Sequence, residues 1–165
     1  IRKLELEGLV VMFPRKGAYV ANISVKDLMD VLEIRASLEG LGASLAAERR
    51  TEEDIKNLEE IEEEFEQAVI TQDIDMLLKK DIEFHECIFK AANNKKLEKM
   101  INSLWEQVQR FRITYVSDSN ASLSLIDEHR IILNAIKEGN VADGKKAAIE
   151  HIEKAEQFML DHCTK

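Results

Sequence analysis

The sequence contains very little proline, glycine or aromatic side chain. One proline and six glycines occur in 165 residues, and only 5% of the residues are aromatic. Alanine, leucine, glutamate, lysine and isoleucine dominate instead. Because proline and glycine are the residues that most disfavour helices, this composition predicts an almost wholly helical protein.

Cysteine and long apolar runs are scarce as well. The two cysteines, Cys87 and Cys163, are far apart and lack C-x-x-C spacing, which argues against a disulfide framework and a thiolate zinc site. We therefore expect a reducing, cytoplasmic location. No apolar run is long enough to cross a bilayer and the start does not resemble a signal peptide, so no membrane partner is expected. Since the chain opens with isoleucine inside a helical pattern, we expect the natural protein to begin further upstream.

Charge is divided unevenly along the chain. The formal net charge is −9, but the first 22 residues hold four cations and two anions, so they carry +2 and the remainder carries −11. An acidic body repels a phosphate backbone, so contacts with nucleic acid would come from the first segment or from residues before it. The candidate DNA contacts are Arg2, Lys3, Arg15 and Lys16.

The first 22 residues also differ from the rest in pattern. A helix end is followed by "LVVMF" and "AYVAN" around the turn signal "PRKG", which predicts a β-hairpin. From residue 24 the pattern is helical, with capping boxes at Ser24-x-x-Asp27 and Thr51-x-x-Asp54, while "SDSNAS" predicts a loop. We expect two domains, residues 1–22 and 23–165. The second is predicted to be an all-α, antiparallel bundle of six helices, near residues 24–50, 51–70, 74–94, 96–115, 123–138 and 140–162.

Side chains that can bind metal ions lie on the apolar faces of three predicted helices. Asp81 and His85 are four residues apart, so they project from one side of the third helix. His129 is in register with apolar residues of the fifth helix, and His151 with those of the sixth. Singly, each histidine is better explained as a core residue bonded to a carbonyl, and Asp81 with His85 as a local pair. Together they have the ligand types of a divalent transition-metal site, for zinc, nickel, manganese or iron.

Two arginines lie on or beside apolar stripes. Arg35 follows Leu28 and Leu32 at helical spacing, so its guanidinium is expected to point inward. An inward guanidinium can bind a carboxylate through two hydrogen bonds, although an ion pair with Glu39 is the more common explanation. Arg112, beside the apolar stripe of the fourth helix, is a weaker candidate of the same kind. Its alternative is a solvated position at the flank of that helix.

Several segments of the chain resemble those of a known family. They are "LEIRASLEGLGASLAA", "DIEFHECIFKAANNKKL", "EHRIILNAIKEGN" and "AAIEHI". These segments resemble the FCD effector-binding domain of the FadR subfamily of GntR-type transcriptional regulators, in its VanR-like branch. The opening "IRKLELEGLVVMFPRKGAYVANIS" resembles the end of the recognition helix and the wing of a GntR-type winged helix-turn-helix.

This resemblance implies a set of site residues and partners. A small organic acid would bind beside the metal, with Arg35 and Arg112 as its candidate contacts. The resemblance also implies a homodimer that binds operator DNA through a complete N-terminal domain, of which this chain is expected to hold only the last part. In metal-binding members an aspartate and three histidines hold the ion, and the corresponding residues here are Asp81, His85, His129 and His151.

Three functions are compatible with the sequence. The leading hypothesis is a ligand-responsive, DNA-binding transcriptional regulator that is not an enzyme. The alternative is a metal-dependent hydrolase or lyase on a helical bundle, since a metal with an open position can activate water. Against it, the Glu-x-x-His pair of di-iron bundles and the H-E-x-x-H motif are both absent. The third is a structural dimerisation bundle whose buried polar groups satisfy one another.

Overall fold

Six helices account for most of the chain. The computed structural model describes residues 1, 2, 5, 10–20 and 24–163. None of its helices has the length and apolar character needed to span a membrane. The prediction of an all-α bundle preceded by a short β-ribbon is confirmed. The helices are α1 (Val25–Arg49), α2 (Glu52–Thr71), α3 (Ile74–Ala91), α4 (Lys95–Val116), α5 (Ser119–Glu138) and α6 (Val141–Cys163).

Short polar side chains determine where these helices begin. Ser24 and Thr51 each form a complete capping box with the residue three positions later, as predicted. Asp118 caps α5 by accepting hydrogen bonds from the backbone N–H groups of Asn120 and Ala121. Helix α5 therefore begins at Ser119, and the loop predicted over "SDSNAS" is wrong for all but its first two residues. Polar residues typical of a loop here form the first turn that follows an aspartate cap.

The predicted β-hairpin is present in residues 10–20. Strands β1 (Val10–Phe13) and β2 (Gly17–Val20) pair antiparallel over their full length. In the turn, Arg15 has a φ of 65° and Gly17 has a φ of 100°, a left-handed conformation that glycine adopts at little cost. Arg15 and Lys16 are exposed at the tip of this hairpin.

Before the hairpin, Arg2 and Glu5 are helical. The exposed Arg2 forms an ion pair with Glu5, with 3.0 Å between Nη1 and Oε2. Lys3, the fourth candidate DNA contact, lies outside the described residues, as do the predicted helix end at Gly8 and the boundary between residues 22 and 23.

Helix α1 is the central element of the bundle. It packs against α3, α4, α5 and α6, while α2 packs against α3 and α5. One hydrophobic cluster includes Leu28, Phe65 and Ile152, and a second includes Phe84. The rings of Phe65 and Phe84 both contact His129, with centroid distances of 4.7 and 4.1 Å. The candidate polar site therefore lies where the two clusters meet.

A glycine on α1 allows a close approach between helices. A Cβ atom at Gly42 would lie 2.8 Å from Cε1 of Phe89. That ring is buried and packs edge-on against Trp105, with 5.5 Å between centroids. Gly144 on α6 differs, because its nearest neighbour would be the carbonyl oxygen of Ala43 at 3.4 Å, an ordinary contact.

We expect Gly42→Ala to lower the free energy of unfolding by about 1–3 kcal/mol, because a wedged ring would have to move. Gly144→Ala is the matched control. It should be neutral or stabilise the protein by up to about 1 kcal/mol, since alanine has the higher helix propensity. Urea unfolding followed by circular dichroism measures both, and equal stabilities of the two variants would contradict the steric conflict.

Candidate metal and effector site

Three buried imidazoles meet in the middle of the bundle. His85 comes from α3, His129 from α5 and His151 from α6, and none is more than 4% exposed. One ring nitrogen of each lies within 4.8 Å of the corresponding atoms of the other two. The Nε2 atoms of His85 and His151 are 3.3 Å apart. Three imidazole nitrogens at this spacing could hold a metal ion.

A glutamate carboxylate contacts the outer nitrogen of each imidazole. An ionised carboxylate can only accept hydrogen bonds, so each Nδ1 donates its hydrogen. The rings are therefore Nδ1–H tautomers whose Nε2 lone pairs are directed toward the centre of the cluster. The three Nδ1 to Oε2 distances are 3.2 Å for His85 and Glu39, 3.2 Å for His129 and Glu62, and 2.9 Å for His151 and Glu128.

Burial disfavours the protonated, charged form of His85 and His151. It lowers the pKa of His85 to about 4 and also lowers the pKa of His151. The lone pairs of these two Nε2 atoms therefore oppose each other at 3.3 Å. Nε2 of His129 is buried without a hydrogen-bond partner in the described part of the chain. Such a set of acceptors is unfavourable by itself, and a cation bound between them would relieve it.

Arg35 is buried and forms the ion pair with Glu39 that was the alternative to ligand binding. Its Nε donates to Glu39 Oε1 at 3.0 Å, and Nε1 of Trp105 donates to the same oxygen at 3.1 Å. Burial by itself would raise the pKa of Glu39, but His85 and Arg35 hold that pKa far below its usual value. Glu39 therefore joins an arginine, an indole and an imidazole in one buried network.

The other two glutamates differ in their surroundings. Burial opposes ionisation of Glu128, but its hydrogen bond to His151 and the nearby ammonium of Lys154 lower its pKa overall. For Glu62, burial prevails and raises the pKa despite the hydrogen bond to His129. Oε1 of Glu62 has no hydrogen-bond partner within the described residues. Each of the three carboxylates comes from a different helix than the imidazole it contacts.

Asp81 lies at the edge of the histidine cluster, and its nearest partner is an arginine. Arg112 Nε donates to Asp81 Oδ2 at 3.1 Å, while Asp81 Oδ1 is 3.7 Å from Nε2 of His129. Burial tends to raise the pKa of Asp81, but the positive charge of Arg112 lowers it overall. The local pair of Asp81 with His85 is not the arrangement found, because His85 Nδ1 contacts Glu39. The role of Asp81 as a metal ligand stays a prediction.

Arg112 is buried, so the alternative of a solvated flank position is wrong. Its residue surface is 6% exposed, and its guanidinium carbon lies 5.7 Å from the centroid of Trp105. Nη2 of Arg112 is buried and lacks a hydrogen-bond partner among the described residues. A buried guanidinium N–H of this kind is suited to an oxygen atom of a ligand.

A cavity of about 30 Å³ lies among these groups. That volume holds about two water molecules or part of a small ligand. Burial and the charges of Glu128 and Asp81 raise the pKa of Tyr115, so its hydroxyl stays protonated. The rest of the lining is apolar. The polar side chains that line the cavity are Arg35, Asp81, His85, Arg112, Tyr115 and His151.

Sequence reasoning missed the glutamates that orient two of the histidines. Glu62 lies four residues after Leu58 and three before Phe65, both fully buried, so helical spacing already placed it on an inward face. Glu128 lies three residues after Leu125 and four before Ile132, both buried, so the same spacing placed it on an inward face as well. The fourth histidine, His162, is exposed.

Comparison with known proteins identifies the family of this bundle. Residues 30–154 match the family model of the FCD domain. The chain belongs to the FCD domain family. The resemblance seen in the sequence is therefore confirmed, and the matched region contains the three histidines together with their three glutamates.

The relatives of this FCD chain are transcriptional regulators. LutR of Bacillus subtilis (strain 168), an HTH-type transcriptional regulator, is 28% identical over 176 residues, covering 94% of this chain and 80% of LutR. The uncharacterized HTH-type transcriptional regulator YdhC of the same organism is 27% identical over 154 residues, covering 92% of this chain and 66% of YdhC. The chain thus spans slightly less than two thirds of the length of YdhC.

A solved structure has the same fold. Escherichia coli McbR/YncC superimposes with a TM-score of 0.87 at 20% sequence identity, over 98% of this chain and 81% of that chain. The family and the named relatives are transcriptional regulators and not enzymes. The prediction that this FCD chain is not an enzyme is confirmed, and the alternative of a hydrolase or lyase is not supported.

Proposed function

We propose that this FCD chain is the sensing part of a GntR-type, DNA-binding transcriptional regulator that responds to a divalent metal and a small organic acid. The observation that carries the proposal is the convergence of three Nε2 atoms in a buried core, one of them without a hydrogen-bond partner among the described residues. His85, His129 and His151 would supply three nitrogen ligands and Asp81 an oxygen ligand. This ligand set suits zinc, nickel, manganese or iron.

The acid would bind in the cavity beside the histidines. Arg112 supports this placement, because its Nη2 is buried and has no hydrogen-bond partner in the part of the chain that the structure describes, while its Nε remains bonded to Asp81. Arg35 lines the same cavity and could contribute a second guanidinium. A carboxylate between two buried guanidinium groups would form charge-assisted hydrogen bonds in a low-dielectric site.

DNA binding belongs to the N-terminal segment in this proposal. Residues 1–22 would be the last part of a winged helix-turn-helix, with the hairpin of residues 10–20 as its wing, and residues 23–165 would be the sensing domain. The exposed Arg2, Arg15 and Lys16 would contact phosphates, together with Lys3. Such a regulator would act on operator DNA in the cytoplasm.

Ligand binding would act through a population shift. The site joins α1, α3, α4, α5 and α6, so an acid that contacts Arg112 and Arg35 favours one relative arrangement of these helices. In a dimer, that arrangement sets the spacing of the two DNA-binding heads.

The metal proposal predicts about one metal ion per chain by elemental analysis of the purified protein. His129→Ala and His151→Ala should each lose the metal, because each removes one ligand. Glu62→Gln should keep the fold but weaken metal affinity about 10–100-fold, because the orientation of His129 is loosened. A chelator should lower the melting temperature of the parent protein by mass action.

The matched control is His162→Ala, which removes an exposed histidine and should retain the metal. A parent protein without metal, whose melting temperature is unchanged by added Zn²⁺, Ni²⁺ or Mn²⁺, would refute the metal site. In that case the buried polar groups would have a structural role only.

The effector proposal predicts that a short carboxylic acid changes the operator affinity of the full-length protein by about 5–150-fold, the usual range of allosteric coupling. Arg112→Lys should reduce this response about tenfold while preserving the charge beside Asp81, because lysine lacks the bidentate fork. Arg130→Lys is the control, since Arg130 pairs with Glu66 on the surface of the bundle. Fluorescence anisotropy with labelled operator DNA, in acetate, butyrate and succinate, measures the effect. An operator affinity that is unchanged by each of the three acids would contradict the proposal.

We also propose that the protein is a homodimer. Four aliphatic residues form one stripe along α1 at spacings of four, three and four, and the two that are not exposed pack on a cluster shared with α4. An apolar stripe of this kind suits a second copy of the chain. The stripe consists of Ile34, Leu38, Leu41 and Leu45, of which Ile34 and Leu41 are 52% and 42% exposed.

Ile34→Glu and Leu41→Glu should therefore convert the dimer to a monomer, because each places a charge in an apolar interface. Ile131→Glu is the control, because Ile131 is 57% exposed on α5. Sedimentation velocity separates the outcomes. A parent protein that is monomeric, or a dimer unaffected by both α1 substitutions, would refute this interface.

A further inference from the structure

The cavity beside the histidines has a polar end and an apolar end. Helices α1 and α6 run antiparallel along it, since Gly40 lies against Ile149 and Gly144 against Ala43. The same offset places Arg35 level with His151. It places Leu28, seven residues earlier on α1, level with Met159.

The distance between the two ends follows from helix geometry. At 1.5 Å per residue, Leu28 and Arg35 are about 10 Å apart along α1, and His151 and Met159 about 12 Å apart along α6. All of these residues line the cavity. Near Arg35 the lining carries guanidinium, imidazole and carboxylate groups, and toward Leu28 it becomes largely apolar.

The apolar end belongs to a continuous hydrophobic cluster. Apart from the hydroxyl of Tyr115, whose ring packs on Phe158, its side chains carry no strong hydrogen-bonding group and no charge. An ionised carboxylate placed there would lose most of its hydration and would meet no cation. The residues of this cluster that line the cavity include Leu28, Leu32, Val108, Ile152, Ala155 and Met159.

From this division we infer that the effector is a short monocarboxylate with an aliphatic tail, and not a dicarboxylate or a sugar acid. The carboxylate would lie at Arg112 and Arg35, and the tail would extend between α1 and α6 toward Met159. The inference rests on the proposed function, because it specifies the acid that the same site would bind. The small cavity favours a tail of a few carbons.

Three acids test this inference on the purified protein loaded with Zn²⁺. Acetate has the carboxylate alone, butyrate adds two methylene groups, and succinate has the length of butyrate with a carboxylate in place of the methyl group. Isothermal titration calorimetry should show butyrate binding about tenfold more tightly than acetate, because each buried methylene tightens binding about fourfold. Succinate should bind at least tenfold more weakly than butyrate.

A substitution at the apolar end locates the tail. Ala155→Leu would fill the space beside Ile152 and should weaken butyrate binding at least tenfold. Acetate binding should be unchanged. Unchanged acetate binding would also demonstrate that the variant is folded. Ala142→Leu, at an exposed position of the same helix, is the matched control and should bind both acids like the parent. If Ala155→Leu does not fold, the comparison of butyrate with succinate binding to the parent protein still tests whether the effector has an aliphatic tail.

The outcomes separate the inference from the proposed function. Succinate binding as tightly as butyrate, or butyrate binding unchanged by a folded Ala155→Leu, would overturn the aliphatic-tail inference and leave the acid site intact. Failure of all three acids to bind would overturn the effector role itself, and the inference with it.

Discussion

The hydrogen bonds from three imidazole Nδ1–H groups to three glutamates are the interactions on which the site depends. Each bond fixes the tautomer and the rotation of one ring, so that the Nε2 lone pairs point at one another. Without them, each ring could turn its donor inward and satisfy a neighbour. The carboxylates are stable in the core because each is paired, as Glu39 is with Arg35 and Trp105.

This network also links the helices to one another. Glu39 joins α1 to α3 and α4, Glu62 joins α2 to α5, Glu128 joins α5 to α6, and Arg112 joins α4 to α3 at Asp81. A charge added at the centre therefore acts on all six helices and not on one side chain. Dense packing around the network, including Phe84 stacked on His129, allows few intermediate positions. These properties suit a bundle whose helix arrangement reports on what it binds.

Much of the site could be predicted because helical periodicity identifies which side chains face inward. It placed Arg35, Asp81, His85, His129 and His151 in the core, and the structure buries all five. The same reasoning failed for residues at the margin of an apolar stripe, and for polar residues that can form either a loop or the first turn of a helix. Arg112 appeared to be a flank residue but is buried against Asp81, and "SNAS" after an aspartate cap begins a helix although its composition suggests a loop.

The sequence by itself determined the number of bundle helices, the capping boxes at Ser24 and Thr51, most of the inward faces and the ligand types available in the core. These are properties of single segments, which propensity, periodicity and capping chemistry fix locally. Only the tertiary structure decided which glutamate contacts which imidazole, that Asp81 pairs with Arg112, and that the cavity changes from charged to largely apolar between Arg35 and Leu28. The physical reason is that periodicity orients a side chain about its own helix axis, whereas partners on different helices depend on how those helices rotate and slide when they pack.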